Sequence, residues 1–276
     1  MQNDLDLSPR FTLAEKLARQ AGATALDYFR KRKQLEIESK GSQDFVTVAD
    51  RAVEKEIRSA IEAAWPDDGI LGEEDGIQQG KNDICWVIDP IDGTANFVSG
   101  IPEWCVVIAG CVKGVTEFAV IHNPNSGETF SARRGEGAYL NGEKMQVSSS
   151  RDLSVGSTGV GTSGRMNYKI PISFMDMLMA RQGIFYRNQS GALMLAYVAD
   201  GRLIGYYEEN MNSWDCFGGL LMIEEAGGRV HPFNSPETLT GHTRVIAGAP
   251  GVYDAIAELA ERAVTQAKEP VRTPQS

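Results

Sequence analysis

One short stretch places two carboxylates three residues apart at the end of an apolar strand. Asp89 and Asp92 flank the dipeptide Pro90-Ile91. Because proline has no N–H to donate, we expect the chain to bend there, so that both acids face one point. The Ile91 carbonyl, released from sheet pairing, would add a third oxygen of the kind that magnesium prefers. The stretch therefore predicts a site for a hard divalent cation.

Gly93 and Thr94 follow the second acid at a predicted helix start. The free backbone N–H groups of such a turn attract anions. A phosphoryl group would then lie beside the cation. The alternative is purely structural: Asp89 closes a strand, Asp92 caps a helix, and the residues around them form a turn.

Three further acids have both a chemical and a structural interpretation. Glu73 lies in an acidic loop bounded by glycines, where a solvated loop charge is the alternative to a ligand. Asp215 falls in the first turn of a predicted helix, where the helix dipole alone would stabilise a carboxylate. Asp50 completes a possible capping box with Thr47. Spacing alone leaves both roles open for each acid.

These acids and their neighbours resemble the motifs of the inositol monophosphatase family. Its members are magnesium-dependent, lithium-sensitive phosphomonoesterases. The resemblance covers most of the chain and rests on three segments in the family's order: Gly72-Glu73-Glu74, residues 89–97, and Trp214-Asp215 with residues 225–228. It implies an oxygen-only set of metal ligands: Glu73, Asp89, the carbonyl of Ile91, Asp92 and Asp215. It also implies a catalytic set that positions the attacking water: Glu73, Thr94 and Asp50.

The implied chemistry is hydrolysis of a phosphate monoester with Mg²⁺ as cofactor. A monoester dianion repels hydroxide and must release an alkoxide, and clustered cations lower both barriers. The resemblance implies a water aligned by Thr94 and Glu73 for in-line attack, with no covalent phospho-enzyme. The first substrate expected is inositol-1-phosphate, cleaved to inositol and phosphate.

Substrate-selecting residues are expected in the second half of the chain. The resemblance implies that Glu208 binds hydroxyl groups of the leaving group and that the helix start Ser190-Gly191 lines the same pocket. The alternatives are an exposed strand-end acid beside Glu209 and an ordinary N-cap at Ser190. The predicted substrate contacts are Asp92, Gly93, Thr94, Ser190, Gly191, Glu208 and Asp215.

Three residues near this pocket depart from the family pattern. Asn212 replaces a common histidine or arginine, Gln189 a common glycine, and Met194 a common aspartate. Since they alter the polar lining, histidinol phosphate, fructose bisphosphate and 3′-phosphorylated adenosine nucleotides stay open as substrates. Trp104 is similar to the histidinol-phosphatase branch, with a buried strand aromatic as the alternative. A non-catalytic regulatory protein on the same fold is a further alternative, against which the complete set of acids argues.

Composition and charge exclude several other classes. The 276 residues are 42% hydrophobic and 23% charged, which is typical of a globular protein whose core needs no disulfide or structural metal. The net charge of −10 disfavours nucleic-acid and membrane partners. No secretion signal begins the chain, so we expect a cytoplasmic protein. The cysteines lack metal-site spacing and are expected to be reduced and buried: Cys85, Cys105, Cys111 and Cys216.

Two other motifs carry little weight. Residues 159–164 fit the pattern GxGxxG, but no helical periodicity opens there and no acid follows about 20 residues on, so dinucleotide binding is disfavoured. The three histidines, His122, His231 and His242, are scattered and belong to no nucleophile motif. We expect them to be structural or surface groups.

The elements that must position these residues follow from periodicity. Amphipathic helices are predicted from Ser8-Pro9 and from Thr47 to Trp65-Pro66, and strands at 84–88, 104–112, 115–121 and 128–133. Beyond residue 150 short strands and helices alternate. The predicted helices are 171–179, 190–199, 214–226 and 252–264, and the strands are 184–186, 203–208, 229–231 and 244–247.

The fold class is therefore α+β, and the resemblance implies a layered αβαβα sandwich. We expect an antiparallel-rich domain at residues 1–150, with most metal ligands, and a mixed α/β domain at 151–276, with Asp215 and the substrate-selecting residues. The predicted partner is a small phosphorylated polyol or related metabolite. Relatives of this kind commonly form dimers, so a homodimer is also expected.

Overall fold

The computed structural model describes residues 6–34, 37–41, 44–163, 166–232 and 239–268. The α-helices are α1 Ser8–Arg30, α2 Val48–Ala64, α3 Thr94–Ser99, α4 Lys169–Ala180, α5 Gly191–Ala199, α6 Ser213–Glu225 and α7 Tyr253–Lys268. The strands are β1 Ile37–Gly41, β2 Asp44–Thr47, β3 Gly69–Gly72, β4 Gly76–Gln78, β5 Ile84–Asp92, β6 Cys105–Val112, β7 Val115–Asn123, β8 Glu128–Arg133, β9 Gly137–Leu140, β10 Glu143–Lys144, β11 Ser157–Val160, β12 Ile184–Tyr186, β13 Gly205–Asn212, β14 Arg229–Val230 and β15 His242–Gly248.

Two large sheets organise these elements. The first has eight strands in the order β10-β9-β8-β7-β6-β5-β3-β4, and β3 runs parallel to β5 while the other pairs are antiparallel. The second has five strands in the order β12-β11-β13-β15-β14, with β11 parallel to both of its neighbours. The predicted change from an antiparallel-rich first half to a mixed second half is confirmed.

Helices cover and separate the sheets in layers. Trp86 and Ile88 of β5 face α1 and α2 in one core, whereas Val87, between them, faces α5 and α6 in another. The alternation follows from the two-residue period of a strand. On β13, Tyr206 joins that same middle core and Tyr207 packs outward with α4 and α7. The layers are therefore α, β, α, β, α, as predicted.

The middle layer explains an unusual helix. α5 is apolar around most of its circumference, and seven of its nine residues are buried. A helix with polar residues on one face would suit a surface, whereas α5 lies between two sheets and must bury almost every side. It therefore brings its N-terminal turn into the interior of the molecule.

Two strands continue four residues beyond their predicted ends. The prediction that the strand ends at Asp89-Pro90 is wrong, since β5 runs through Pro90 to Asp92 with a register shift between Asp89 and Asp92. The shift accommodates a residue without an N–H and bends the strand without ending it. β13 likewise runs on to Asn212, with a shift after Glu208.

Three further features are the cysteines, the length of the helices and the GxGxxG segment. The four cysteines are free, and all except the partly buried Cys85 are buried. Within the described residues, no helix has both the length and the apolar composition of a transmembrane span. Of the GxGxxG segment, Gly159 lies in β11 and Gly161 follows it, and Gly164 is outside the described residues.

Candidate metal centre

The bent end of β5 carries the first two acids of the site. Asp89 and Asp92 are 2% and 8% exposed, although carboxylates are seldom buried without a partner. The backbone N–H of Ile91 donates to Asp89 Oδ1 at 2.9 Å, which fixes that carboxylate inside the turn. The register shift thus turns both acids toward the interior.

Asp215 reaches the same point from the second half of the chain. It lies in the first turn of α6, and Asn212 Nδ2 donates to its Oδ2 at 3.0 Å. One carboxylate oxygen each from Asp89, Asp92 and Asp215 lie within 4.8 Å of one another. The structure therefore brings Asp215 to two acids from which the sequence separates it by more than a hundred residues.

Glu73 lies next to Asp89 because β3 is parallel to β5. Gly72 pairs with Ile88, so the loop after β3 leaves the sheet at the edge where β5 approaches Asp89. The Glu73 N–H donates to the Ile88 carbonyl at 3.2 Å, and the Glu73 side chain is hydrogen-bonded to Asp89. The fourth predicted carboxylate thus contacts the first.

Crowding among these acids changes their protonation. Burial, followed by repulsion from Glu73, Asp92 and Asp215, raises the pKa of Asp89 well above its ordinary value. Burial and the neighbouring Asp92 raise the pKa of Asp215 to about 7. Uncompensated like charges in a protein interior are costly, and a bound cation would remove the cost. The donors are all oxygens, so the set fits a hard cation such as Mg²⁺.

Thr94 and Asp50 form a second group beside the carboxylates. The Thr94 hydroxyl lies 3.0 Å from the Ile91 carbonyl oxygen and 3.3 Å from Asp50 Oδ1. Asp50 is fully buried and accepts hydrogen bonds from the N–H and hydroxyl of Thr47, at 2.8 and 2.7 Å. The predicted capping box is therefore present, and the same acid also reaches Thr94.

Burial raises the pKa of Asp50, while the bonds from Thr47 oppose the shift. Burial outweighs these bonds, so this carboxyl has a higher pKa than an ordinary aspartate.

The start of α5 holds Asp92 from the opposite side. The Ser190 hydroxyl donates to Asp92 Oδ2 at 2.5 Å, and the Ala192 N–H donates to the same oxygen at 2.8 Å. Ser190 also caps α5, since its hydroxyl accepts from the Leu193 N–H at 3.4 Å. Ser190 therefore contacts the predicted metal ligand directly, a partnership that the sequence analysis missed.

Glu208 lies on β13, near the carboxylates. This residue is only 7% exposed, so the alternative of an exposed strand-end acid is wrong. The Tyr206 hydroxyl donates to its Oε2 at 2.6 Å, and burial raises its pKa to about 8. The charges of Asp92 and Asp215 contribute to that shift, so Glu208 lies within electrostatic reach of the carboxylates. A Cβ at Gly161 would overlap the Glu208 carboxylate.

Two remaining motif residues have structural roles. Glu225 accepts hydrogen bonds from the N–H groups of Gly135 and Gly137, at 2.8 and 2.9 Å, which ties α6 to the turn before β9. Trp104 is fully buried, with its ring centroid 5.0 Å from that of Phe97, so the buried aromatic interpretation is confirmed.

The model of the inositol monophosphatase family matches residues 6–266 of the chain. The chain is 38% identical to "Nus factor SuhB" of Pasteurella multocida, over 91% of this chain and 95% of that protein. It has the same identity and coverage with the protein of that name from Escherichia coli K12.

Two solved structures are similar to this chain over nearly its whole length. The extragenic suppressor protein suhB from Bartonella henselae is similar with a TM-score of 0.87 and 32% identity, covering 92% of this chain and 99% of that one. The Thermotoga maritima IMPase is similar with a TM-score of 0.85 and 29% identity, covering 94% and 99%.

Proposed function

Because this chain belongs to the inositol monophosphatase family, we propose that it is a Mg²⁺-dependent phosphomonoesterase. The observation that carries the proposal is the meeting of Asp89, Asp92 and Asp215 within 4.8 Å. These acids come from two distant parts of the chain, and their charges repel one another, so the arrangement is costly unless it binds a cation. A solely structural role for each acid would not require them to meet.

The proposed ligands of Mg²⁺ are Glu73, Asp89, the Ile91 carbonyl, Asp92 and Asp215. When bound, the ion neutralises phosphoryl oxygens and makes a water molecule more acidic. The N-terminal turn of α3, at Gly93 and Thr94, offers backbone N–H groups to the phosphoryl group.

We propose that Thr94 and Asp50 orient the attacking water together with Glu73. The Thr94 hydroxyl is already within hydrogen-bonding reach of Asp50, and the raised pKa of Asp50 makes this carboxylate a better proton acceptor than an exposed aspartate. A water that donates to the Thr94 oxygen would pass its proton along this pair.

The proposed substrate is inositol-1-phosphate or a similar phosphorylated polyol, with Glu208 accepting hydrogen bonds from its hydroxyl groups. Gly161 lets this carboxylate pack closely against the backbone, since a Cβ there would overlap it, and a Cβ at Gly191 would lie 2.7 Å from Met211 Cε. The polar side chain of Asn212 is engaged by Asp215. Histidinol phosphate, fructose bisphosphate and 3′-phosphorylated adenosine nucleotides stay in the substrate panel, because the metal ligands would serve each of them.

The proposal is tested by phosphate release from that panel with Mg²⁺ and with excess EDTA. We expect Mg²⁺-dependent hydrolysis that Asp92→Asn nearly abolishes. Asp27→Asn makes the same chemical change at an exposed position of α1 and should leave the rate unaltered. Release in EDTA, or full activity of Asp92→Asn, would contradict the proposal. Glu208→Ala should lower kcat/KM most for the preferred leaving group.

The second candidate function is that of a regulatory protein on the same fold. It is favoured by the name of the relatives at 38% identity, which describes a factor and not an enzyme. The expectation of no nucleic-acid partner rests on the net charge of −10 and does not exclude a protein partner. Failure of every phosphomonoester to release phosphate, in a folded protein that binds Mn²⁺, would favour this function.

We further propose a homodimer, a cytoplasmic location, and inhibition by lithium, as the family resemblance implies. Exposed apolar side chains on two adjoining elements support self-association: Ile172 and Met179 on α4, and Ile184 and Phe185 on β12. Sedimentation of the wild-type protein and of Ile184→Lys tests the dimer, since a charge at a buried contact would dissociate it.

A further inference from the structure

A buried carboxylate lies beneath the loop that carries Glu73. Glu54, on α2, has no exposed surface, yet it faces the turn between β3 and β4. Its Oε2 accepts a hydrogen bond from the Glu74 N–H at 2.9 Å, and its Oε1 accepts one from the Asp75 N–H at 3.1 Å. One side chain therefore holds both residues that follow Glu73.

Arg58, one helical turn further along α2, completes the arrangement. Its Nε donates to Glu54 Oε1 at 2.7 Å, and its Nη2 donates to the Gly76 carbonyl at 2.5 Å. The Arg58 side chain is 9% exposed and that of Glu54 is 0% exposed. We name this pair the Glu54–Arg58 clamp, since it binds N–H groups and a carbonyl of a single loop.

Burying the Glu54–Arg58 clamp between α2 and the sheet costs desolvation free energy. Buried ion pairs recover their desolvation cost only with excellent geometry, and apolar side chains of similar volume often serve stability as well or better. The clamp orients the loop after β3, because charge-assisted hydrogen bonds to two consecutive N–H groups fix the backbone direction of a loop. Gly72 permits this closeness, since a Cβ there would overlap the Glu54 carboxylate.

The clamp acts on the loop from one side while the sheet acts from the other. Glu73 itself bonds through its N–H to the Ile88 carbonyl of β5, and its side chain reaches Asp89. With the residues before and after it anchored, Glu73 has little freedom to turn away from the carboxylates, even when their charges repel it.

Resting on the proposed function, we propose that Glu54 and Arg58 are positioning residues that hold Glu73 in place for the divalent cation. They touch neither the cation nor the substrate. Loss of the clamp leaves every ligand side chain present but allows the loop to carry Glu73 out of the cluster. The expected consequence is weaker binding of the cation, since losing a partner that orients a ligand typically costs about 10- to 100-fold in metal affinity or activity.

The test measures Mn²⁺ affinity by calorimetry and the half-saturating Mg²⁺ concentration for phosphate release in Glu54→Gln. The amide keeps the shape but loses the charge that pairs with Arg58. The matched control is Asp68→Asn, which removes another buried acid, bonded to Arg10 at 2.7 Å and placed at the opposite end of β3 from Glu73. Arg58→Lys, a milder change, keeps the charge and loses the forked geometry.

We expect Glu54→Gln to raise both the Mn²⁺ dissociation constant and the half-saturating Mg²⁺ concentration by about 10-fold or more. Arg58→Lys should move them in the same direction by less, and it stands in if Glu54→Gln does not fold. Asp68→Asn should lose thermal stability with unchanged metal affinity. Wild-type metal affinity in both clamp variants would overturn the positioning role of the clamp and leave the phosphatase proposal intact. A wild-type protein that binds Mn²⁺ but releases no phosphate would overturn only the phosphatase proposal.

Discussion

Neutralising one acid of the cluster should stabilise the metal-free protein and remove most of the stabilisation that Mg²⁺ gives the wild type. We take Asp215→Asn, whose amide retains a carbonyl to accept the bond from Asn212. The pKa of Asp215 is about 7 in the folded protein, against an ordinary value of 3.8. The folded state therefore holds a proton that the unfolded state releases between these pH values, and stability falls as pH rises through that window.

The magnitude follows from the shift. A difference of about 3 pKa units costs up to about 4 kcal/mol once the pH exceeds 7, since each unit corresponds to about 1.4 kcal/mol. In EDTA at pH 8, Asp215→Asn should raise the free energy of unfolding by a large part of this amount. At pH 4 most of the gain should disappear, because the wild-type carboxyl is then protonated in the folded state.

Urea unfolding at pH 8, with EDTA or with Mg²⁺, is the assay. An ion present at about 100 times its dissociation constant stabilises the folded state by about 2.7 kcal/mol. The wild-type protein should show this gain, and the variant should lose most of it. A wild type that Mg²⁺ does not stabilise, or a variant less stable than wild type in EDTA, would refute the reasoning.

Three further predictions concern stability, each measured by urea unfolding. Gln189 has a φ of 67°, so Gln189→Gly should stabilise the protein by about 1 kcal/mol, and any loss would show that its side chain compensates the strain. Burial lowers the pKa of His122 to about 4, so the free energy of unfolding of the wild type should fall by about 2 kcal/mol from pH 7 to pH 5. His122→Asn should not show this fall, and parallel pH curves for the two proteins would contradict the prediction. A Cβ at Gly22 would lie 2.5 Å from His122 Cδ2, so Gly22→Ala should cost about 1 to 2 kcal/mol despite its better helix propensity, and a neutral result would mean that the ring moves aside.

Local signals were sufficient for much of this molecule. Apolar periodicity identified the long helices, and the predicted start of α2 near Thr47 agrees with the structure, where Thr47 is the N-cap. Asp89 and Asp92 were recognised from a strand followed by Pro90, although the strand bends there and does not end. The bend depends on pairing with β6, which residues 84–92 do not encode by themselves.

Contacts between distant residues were beyond local reasoning. Ser190 has an N-cap pattern, but its bond to Asp92 joins residues 98 positions apart and requires α5 to lie between the sheets. Glu54 and Arg58 have the spacing of a surface ion pair on a helix. Their burial arises because β3 pairs parallel to β5 and places a loop above them. Sequence spacing does not report which surface another segment will cover.

The proposed chemistry depends on a divalent cation bound between the carboxylates of β5 and α6. Anomalous diffraction from a crystal soaked in Mn²⁺, an ion that favours the same oxygen ligands as Mg²⁺, measures this directly. We predict a peak bonded at about 2.1 Å to carboxylate oxygens of Asp89 and Asp92, with the Ile91 carbonyl or Asp215 completing the coordination. A crystal with no manganese among these residues, or with manganese only elsewhere on the protein, would contradict it.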